Sequence, residues 1–422
     1  MSTLLRLVAG YLRHRPLAAA LAIGLLALGV ALLSLLALLD RQLDRQFARN
    51  LAGVDLVLGA KGSPLQLVTS SLYHADAPTG NVPVSAVRAF GRPGHPLIAS
   101  AVPLALGDSY AGRRIVGTTV DSFLALYDAR LADGRSASRA RDVVAGANAA
   151  QRLGLEPGSR FASVHGLLDN PDLVHAGAEE LTVTGVLAPT GLVVDELLLT
   201  DVTTVWEAHH HGPGHDAPHD HDAPHNHDHH EIRPEPPPWH EARDREITAL
   251  LATFSARNTA TLNFARNVNE NTDLLAAAPA VVMAQFGARV AGAERVLTAL
   301  GTVIGVAAVA GLFVILLNAL RERRSDLSLL RALGARPRFV FGLVLAEGVL
   351  LAVIGVAFGL LASRLGLAAI AGMLADRYAV GMLDYGPHER ELAVAAAALA
   401  AAVLAAAYPA FRAYRIDPGV QA

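Results

Sequence analysis

The sequence predicts a membrane protein with four transmembrane α-helices, one N-terminal and three C-terminal, and a large extracytoplasmic α+β domain between the first and second helices. Hydrophobic residues make up 52% of the 422 residues and charged residues only 17%, which is too apolar for an ordinary soluble protein. The long uncharged runs lie near the two ends of the chain, and the middle contains none. Arginines concentrate beside alternate ends of these runs, which indicates a consistent orientation in the membrane.

The chain begins with a short amphipathic pattern followed by the first span. In residues 1–16, leucines recur at helical spacing with Arg6 and Arg13 on the other side, which predicts a helix on the cytoplasmic membrane surface. Residues 17–39 carry no charge and can cross a hydrocarbon core of about 30 Å at about 1.5 Å per residue. A cleaved signal peptide is the alternative. Its apolar region is shorter, at about 7–15 residues, so we predict an uncleaved anchor.

Residues 40–295 are predicted to form the extracytoplasmic domain. Short apolar runs such as VDLVLGA, RRIVGTTV and LTVTGVLAPTG alternate with turn residues, as strands do. Two stretches, Asp142–Gly158 and Glu241–Ala256, have a more helical pattern, and that pattern continues through Asn258–Arg295. The mixture predicts an α+β domain.

Three more spans are predicted at residues 296–320, 339–365 and 392–411. The connection 321–338 contains six arginines, whereas the connection 366–391 mixes positive and negative charges. Because arginine beside a membrane end resists translocation, we place residues 321–338, the N-terminus and the tail 412–422 in the cytoplasm. The large domain and residues 366–391 then lie on the outer side.

The basic segment Arg321–Arg338 is the main candidate functional element. It predicts a short helix under the membrane with a leucine stripe, formed by Leu327, Leu329, Leu330 and Leu333, that can dock on a cytoplasmic partner. Gly334 is expected to end this helix in a left-handed conformation before Pro337. The alternative is a basic loop that only fixes orientation. The candidate coupling residues are Arg321, Glu322, Arg323, Arg324, Leu327, Leu330, Arg331, Leu333 and Gly334.

Glu347 is the one acidic residue well inside a predicted span. A carboxylate buried in a membrane is costly unless it is paired or protonated, so it is a functional candidate by default. Pairing with an arginine of the 321–338 segment and a hydrogen bond between helices are the structural alternatives. We do not predict a substrate site there.

A histidine-rich segment interrupts the predicted extracytoplasmic domain at residues 209–230. Its glycines and prolines argue against a packed helix or strand. Closely spaced imidazoles can bind Zn²⁺ or another divalent metal, although interchangeable ligands do not define one site. The alternative is an incidental solvated insertion. The candidate ligands are His209, His210, His211, His215, His219, His221, His225, His227, His229 and His230.

The chain shows no catalytic or nucleotide-binding motif, so we expect it not to be an enzyme. Its lysine at Lys61 lies in GAKGSP, whose spacing does not match a phosphate-binding P-loop. The absence of cysteine excludes disulfides and thiolate metal sites. The surrounding stretch Gly59–Val82 is too irregular for a routine surface loop, and we expect it to organise the domain or to contact cargo.

The stretch RERRSDLSLLRALGARPRFVFGLVLAEGVLLAVIGVAFG at residues 321–359 and the tail YPAFRAYRIDPGVQA at 408–422 resemble FtsX-like permeases of the MacB type. VTGVLAPTG and VVDELLLT are similar to strands of the family's periplasmic domain. The resemblance implies a bacterial inner-membrane subunit of an ABC transporter that works as a permease homodimer with separate cytoplasmic ATP-binding subunits. It also implies mechanical transmission more than a conducting pore.

Three functions are compatible with these features. The first is a permease that exports or extracts a substrate at the outer face when a separate ATPase hydrolyses ATP. The second is a regulator that transmits force to a periplasmic enzyme. The third is a membrane-anchored metal-binding protein in which the spans serve only as anchors.

Overall fold

Long helices occur near both ends of the chain, and the strands of a mixed sheet occur between them in the sequence. The computed structural model describes residues 10, 13, 16–165, 180–208, 238–375, 386 and 389–415. The helices are α1 (Pro16–Asn50), α2 (Pro64–Leu72), α3 (Val84–Val87), α4 (Val120–Leu126), α5 (Ala147–Leu153), α6 (Val202–Ala208), α7 (Thr259–Asn271), α8 (Pro279–Glu322), α9 (Arg324–Ala332), α10 (Pro337–Ala375) and α11 (Glu389–Tyr414). The strands are β1 (Leu56–Ala60), β2 (Val82–Pro83), β3 (Ile98–Tyr110), β4 (Arg113–Thr118), β5 (Leu131–Gly134), β6 (Asp142–Ala145), β7 (Arg160–Phe161), β8 (Val164–His165), β9 (Leu181–Leu187), β10 (Leu198–Asp201), β11 (Glu246–Ile247), β12 (Ala249–Phe254) and β13 (Leu274–Ala277).

These elements form two compact units in the described part of the chain. The helical unit contains the described residues of 1–44, 288–374 and 383–422. The mixed unit contains those of 45–287 and 375–382. The predicted order along the chain, one N-terminal long helix, an α+β domain and three C-terminal long helices, is therefore confirmed.

Within the described residues, four helices are long and apolar enough to cross a membrane: α1, α8, α10 and α11. Each is longer than its predicted span; α8, for example, has 44 residues against the predicted 296–320. The predicted spans end where the uncharged run ends. The helices themselves continue beyond those points, because backbone hydrogen bonding does not require apolar side chains.

Small residues bring the long helices close together. A Cβ placed on Gly29 of α1 would lie 3.0 Å from the Cα of Gly305 in α8, which is closer than most side chains pack. Gly348 of α10 approaches Ala406 of α11 in the same way. This use of glycine and alanine is typical of helix packing in membranes. The buried core of the unit comprises Ala22, Leu26, Val30, Ala308, Leu312, Leu316, Leu351, Ala352, Val356, Ala395, Ala402 and Ala406.

The mixed unit is built on one large sheet. Its main path runs β13-β1-β12-β3-β4-β10-β6-β9-β5, with β7 added beside β9 and β8 beside β3. The β10–β4 and β6–β9 pairs are parallel, and the other pairs on this path are antiparallel. A separate two-stranded sheet pairs β11 with β2.

Helices cover both faces of the central strands. On one face, Leu67 and Leu72 of α2 and Phe123 of α4 pack in a core with Val116 of β4. On the other face, Val205 and Trp206 of α6 pack with Leu58, Ala105 and Leu250. Because side chains alternate along a strand, β1, β3 and β12 each contribute to both cores.

The helical pattern predicted for Glu241–Ala256 is wrong. Apart from a 3₁₀ turn at Trp239–Glu241, this stretch forms β11 and β12. Strand β12 lies between β1 and β3, and residues 249–252 are buried on both faces. A strand buried on both sides shows a continuous apolar run instead of alternation, so its sequence pattern resembles that of a buried helix.

Two other predicted helical stretches contain strands. Asp142–Gly158 begins as β6 and becomes helical only in α5. The predicted helix Asn258–Arg295 is interrupted by β13, which pairs with β1. The side chain of Thr272 accepts a hydrogen bond from Leu274 N at the start of this strand, and Pro279 begins the next helix.

The stretch Gly59–Val82 has a local structural role. Ser63 caps α2 by accepting a hydrogen bond from Gln66 N, and Pro64 occupies the first helical position, where a missing N–H costs nothing. At Gly59, an added Cβ would lie 2.5 Å from the Cδ1 of Leu67, so glycine allows α2 to pack against β1. The motif therefore joins a sheet strand to the helix that covers it.

The last turns of α1 belong to the mixed unit and hold one of its loops. Gln46 Nε2 and Arg49 Nη2 donate hydrogen bonds of 3.1 and 2.9 Å to the carbonyl oxygens of Gly191 and Thr190. Asn50 Oδ1 accepts a 2.9 Å bond from Val193 N. The loop 190–193 is thus fixed to the end of this helix.

Candidate functional site

The basic segment Arg321–Arg338 folds around the short helix α9. Asp326 lies in its first turn and Arg331 in its last turn, which complements the helix dipole. Gly334 has φ of +96°, as predicted, and Ala335 N donates a 3.0 Å hydrogen bond to Leu330 O. Pro337 then begins α10.

One side of α9 is anchored in the helical unit. Leu327 is only 2% exposed and packs with Leu320 of α8, with Val340 and Leu343 of α10, and with Ala410 of α11. This contact joins α9 to all three C-terminal long helices. Its tight packing makes Leu327 an internal anchor, so it is not accessible to a partner protein.

An ion pair holds the start of α9. Arg323 Nη1 donates to Glu347 Oε2 of α10 at 2.9 Å, and the two side chains are only 11% and 9% exposed. The predicted alternative for Glu347, pairing with an arginine of the basic segment, is therefore the arrangement that the structure has. At the other end of α9, Arg331 Nη1 donates a 3.3 Å hydrogen bond to the carbonyl oxygen of Tyr414.

The opposite side of α9 is accessible. Leu329 is 62% exposed and Leu333 is 78% exposed, one helical turn apart. Arg321, Glu322 and Arg324 are also exposed, whereas Leu330 and Arg331 are half-buried. The predicted leucine stripe is thus two surfaces, one packed inside the unit and one facing outward.

A second polar cluster lies among α1, α10 and α11, and the sequence analysis did not identify it. Arg364 Nη2 and Nε donate to the two carboxylate oxygens of Glu391 at 2.5 and 3.2 Å. Ser34 Oγ donates to Glu391 Oε1 at 3.2 Å and lies 3.0 Å from Ser363 Oγ. Arg390 also pairs with Asp40 of α1.

The signal for this cluster was present but weak. Arg364 falls at the last residues of the predicted span 339–365, and Glu391 immediately precedes the span 392–411. At such positions a charge usually marks the membrane boundary. Only the packing shows that Glu391 is 3% exposed and that Ser34 is fully buried.

The ten predicted metal-ligand histidines at 209–230 lie outside the described residues. In the part of the chain that the structure describes, no group of three or more His, Asp or Glu side chains is placed to hold a metal ion.

Family comparisons agree with this architecture. The model of the FtsX-like permease C-terminal domain matches residues 298–418, which include α9, α10 and α11. The model of the MacB-like periplasmic core domain matches residues 19–219, which include most of the mixed unit. A comparison with curated proteins finds no match. The periplasmic-domain model matches the part of the chain that contains the sheet, and the permease model matches the C-terminal long helices that follow it. The chain therefore belongs to the FtsX/MacB-type permease family and is a permease of the ABC-transporter type.

Proposed function

We propose that the chain couples ATP hydrolysis by a separate cytoplasmic ATP-binding subunit to a conformational change of its mixed unit, by which a substrate is exported or extracted. The observation that carries this proposal is the construction of α9. It presents Leu329 and Leu333 on its outer side while Leu327 and Arg323 fix its inner side. A partner that moves such an element also moves the long helices behind it.

The exposed surface of α9 suits a protein partner. Two leucines one turn apart can enter an apolar groove, while Arg321 and Arg324 at its edge can meet acidic groups of the partner or lipid phosphates. Rim charges of this kind mainly steer association, and buried apolar anchors supply most of the affinity. The hydrolytic chemistry resides on the partner, and this chain is not an enzyme.

The path to the mixed unit follows α1. This helix packs with the other long helices through residues such as Leu26, and its last turns fix the loop 190–193 of the mixed unit. The charged pairs of the helical unit join one helix to another. This supports a permease that transmits force and argues against a polar channel. The working form is a homodimer in the bacterial inner membrane, with the mixed unit in the periplasm.

Docking is tested with the double variant Leu329→Asp and Leu333→Asp. The variant should lose at least tenfold in affinity for the ATP-binding subunit, measured by co-purification and by ATP hydrolysis of the complex, because charged groups replace its apolar anchors. Leu262→Asp, at an equally exposed leucine of α7, is the matched control and should bind normally. Wild-type affinity in the double variant would exclude docking through α9.

The orientation is tested by cysteine labelling, since the chain has no cysteine of its own. We expect Ser255→Cys, in an exposed part of the mixed unit, to react in intact cells with a maleimide that cannot cross the inner membrane. Ser325→Cys in α9 should react only after the membrane is opened. Labelling of Ser325→Cys in intact cells would show that α9 lies on the outer side of the membrane, and would rule out a cytoplasmic partner at α9.

The histidine-rich segment favours a second, additional role. Ten imidazoles within residues 209–230 provide many neutral nitrogen ligands, and we propose that they bind Zn²⁺ or another divalent metal on the outer side. Deleting 209–230 from the full chain should abolish high-capacity zinc binding while leaving docking of the ATP-binding subunit intact. Unchanged zinc binding would eliminate this role. If a metal-binding anchor were the main function, the Leu329→Asp and Leu333→Asp variant would have no effect on cells.

The force-transmitting regulator of a periplasmic enzyme uses the same α9 and the same helices. It differs in its output, because the mixed unit would then act on another protein. Reconstituted vesicles distinguish the two: export or extraction of a substrate requires ATP-dependent movement of that substrate, whereas regulation requires only ATP-dependent activation of the bound enzyme.

A further inference from the structure

A set of polar side chains is buried inside the first core of the mixed unit, between the sheet and helices α2 and α4. Arg114 is 6% exposed, Tyr127 is 5% exposed, and Ser71 and Thr118 are fully buried. Within the described residues, the following buried atoms in this core have no hydrogen-bond partner: both ring nitrogens of His74, Arg114 Nη1 and the hydroxyls of Ser71, Thr118, Thr119 and Tyr127. We call these residues the polar seam.

The polar seam lies in one layer of the fold. Arg114, Val116 and Thr118 are every second residue of β4, so all three face the same side of the sheet. Val116 belongs to the core that contains Phe123 and Tyr127. The seam thus faces the α4 side of the sheet.

The aromatic rings connect the seam across this layer. The ring of Phe123 is 6.4 Å from that of His74 and 5.1 Å from that of Tyr127. His74 is close enough to Arg114 for the arginine charge to affect its protonation. Ser71 lies three residues before His74, at the end of α2.

A buried arginine without a partner for one of its nitrogens is unusual, because folded proteins satisfy nearly all buried polar groups. Arg114 Nη2 donates a 2.9 Å hydrogen bond to the main-chain oxygen of Asp76, but this leaves Nη1 unsatisfied. The carboxylate of Asp76 belongs to an exposed residue and accepts a 2.8 Å bond from Ala77 N. It therefore balances the buried charge only in part.

Each side chain of the seam can donate a hydrogen bond, and the fixed charge of the seam, on Arg114, is positive. Arginine only donates, a neutral histidine donates from one nitrogen, and each serine, threonine or tyrosine hydroxyl can donate as well. Burial, with a contribution from Arg114, lowers the pKa of His74 to about 3, so its ring is neutral at physiological pH. Donors that lie in one layer of the fold with one fixed positive charge match a ligand that is negatively charged and has several acceptor oxygens.

We propose that the polar seam is a binding site for a small oxyanion, a carboxylate or a phosphate. Arg114 supplies the counter-charge, and the hydroxyls of Thr118 and Tyr127 with the His74 ring supply further hydrogen bonds. The exposed residues 75–77 of the loop after α2 lie at its outer edge, where a ligand can enter. The site gives the mixed unit a ligand chemistry of its own, which is independent of ATP coupling through α9.

The test uses the full-length chain purified in detergent, titrated with inorganic phosphate in one arm and with acetate in the other at constant ionic strength. We expect one of the two anions to raise the unfolding temperature of the mixed unit and to bind in calorimetry, since a ligand that binds only the folded state stabilises it. Phosphate binding assigns the site to a phosphate group, and acetate binding assigns it to a carboxylate.

Three variants assign the binding to the seam. Arg114→Gln should weaken it at least tenfold, and Tyr127→Phe and Thr118→Val should each weaken it several-fold. The last two remove hydroxyls that have no partner within the protein, so they preserve folding even if Arg114→Gln does not. Arg130→Gln, at an exposed arginine of the same unit, is the matched control and should bind as the wild type does.

Two results would overturn the proposal. One is the absence of binding and of stabilisation by either anion, which would leave water as the partner of these groups. The other is equal anion binding in the wild type, Tyr127→Phe and Thr118→Val, which would place the anion elsewhere on the chain.

Discussion

Removing the charge of Glu347 should lower the unfolding free energy of the helical unit and leave that of the mixed unit unchanged. In Glu347→Gln, the Arg323 guanidinium keeps its buried position but loses the carboxylate 2.9 Å away. Breaking one partner of a buried ion pair typically costs about 3–5 kcal/mol. Because glutamine retains an oxygen that can accept from Arg323 Nη1, we expect the lower end of this range, about 3 kcal/mol of unfolding free energy.

The two units can be followed separately in one sample. Both tryptophans, Trp206 and Trp239, pack in the mixed unit, so their fluorescence reports on that unit, whereas the far-ultraviolet circular dichroism is dominated by the long helices. In denaturant titrations in detergent, Glu347→Gln should shift the dichroism transition and leave the fluorescence transition in place. The exposed Glu389→Gln at the start of α11 is the matched control and should shift neither.

A double-mutant cycle decides whether the pair itself is responsible. Arg323→Gln combined with Glu347→Gln should destabilise the helical unit by less than the sum of the single changes, because the second change removes the charge that the first left buried. Additive effects would refute the reasoning, since two residues that do not interact show no coupling energy.

Two further predictions concern packing and protonation. Gly348→Ala would place a Cβ 2.5 Å from the Cβ of Ala406 and should cost about 1–3 kcal/mol in the same dichroism assay, whereas Gly372→Ala, with open space around it, should not destabilise. The low pKa of His74, about 3, means that only the unfolded chain gains its proton as pH falls below about 6.5. The mixed unit should therefore lose about 1.4 kcal/mol from this histidine between pH 7.5 and 5.5, in fluorescence titrations without added phosphate. His74→Asn should lack that part of the pH dependence and His240→Asn should keep it; identical profiles for wild type and His74→Asn would show that the ring is protonated equally in both states.

The architecture of the helical unit could be predicted because its signals are long and local. A run of about 20 uncharged residues and the placement of arginines need no knowledge of tertiary contacts. The left-handed Gly334 and the approach of Arg323 to Glu347 were also within reach, since these residues lie close to one short connection. What the pattern could not separate was the inward Leu327 from the outward Leu329, because one short helix with leucines on two sides has no single apolar face.

The mixed unit was harder because its central strands are buried on both faces. Such strands lose the alternation that distinguishes a strand from a helix, which explains the wrong helical prediction at β12. The missed β13 is an edge strand of only four residues, too short to show a pattern of its own. The polar seam was also beyond sequence reasoning. His74 and Arg114 are 40 positions apart and belong to a helix–loop segment and a strand, so only the packing of α2 on β4 brings their chemistry together.

Two ion pairs of the helical unit share the helix α10, and this bears on how a movement of α9 would be passed on in the proposed coupling. Glu347 and Arg364 both lie on α10, about 25 Å apart along its axis at about 1.5 Å per residue. The first is held by Arg323 at the start of α9, and the second by Glu391 of α11, which also accepts from Ser34 of α1. Each contact carries a charge that cannot be left buried alone, so it resists separation more strongly than apolar packing between similar side chains does. In the proposed coupling, a displacement of α9 would therefore be passed along α10 to α11 and α1 through these contacts.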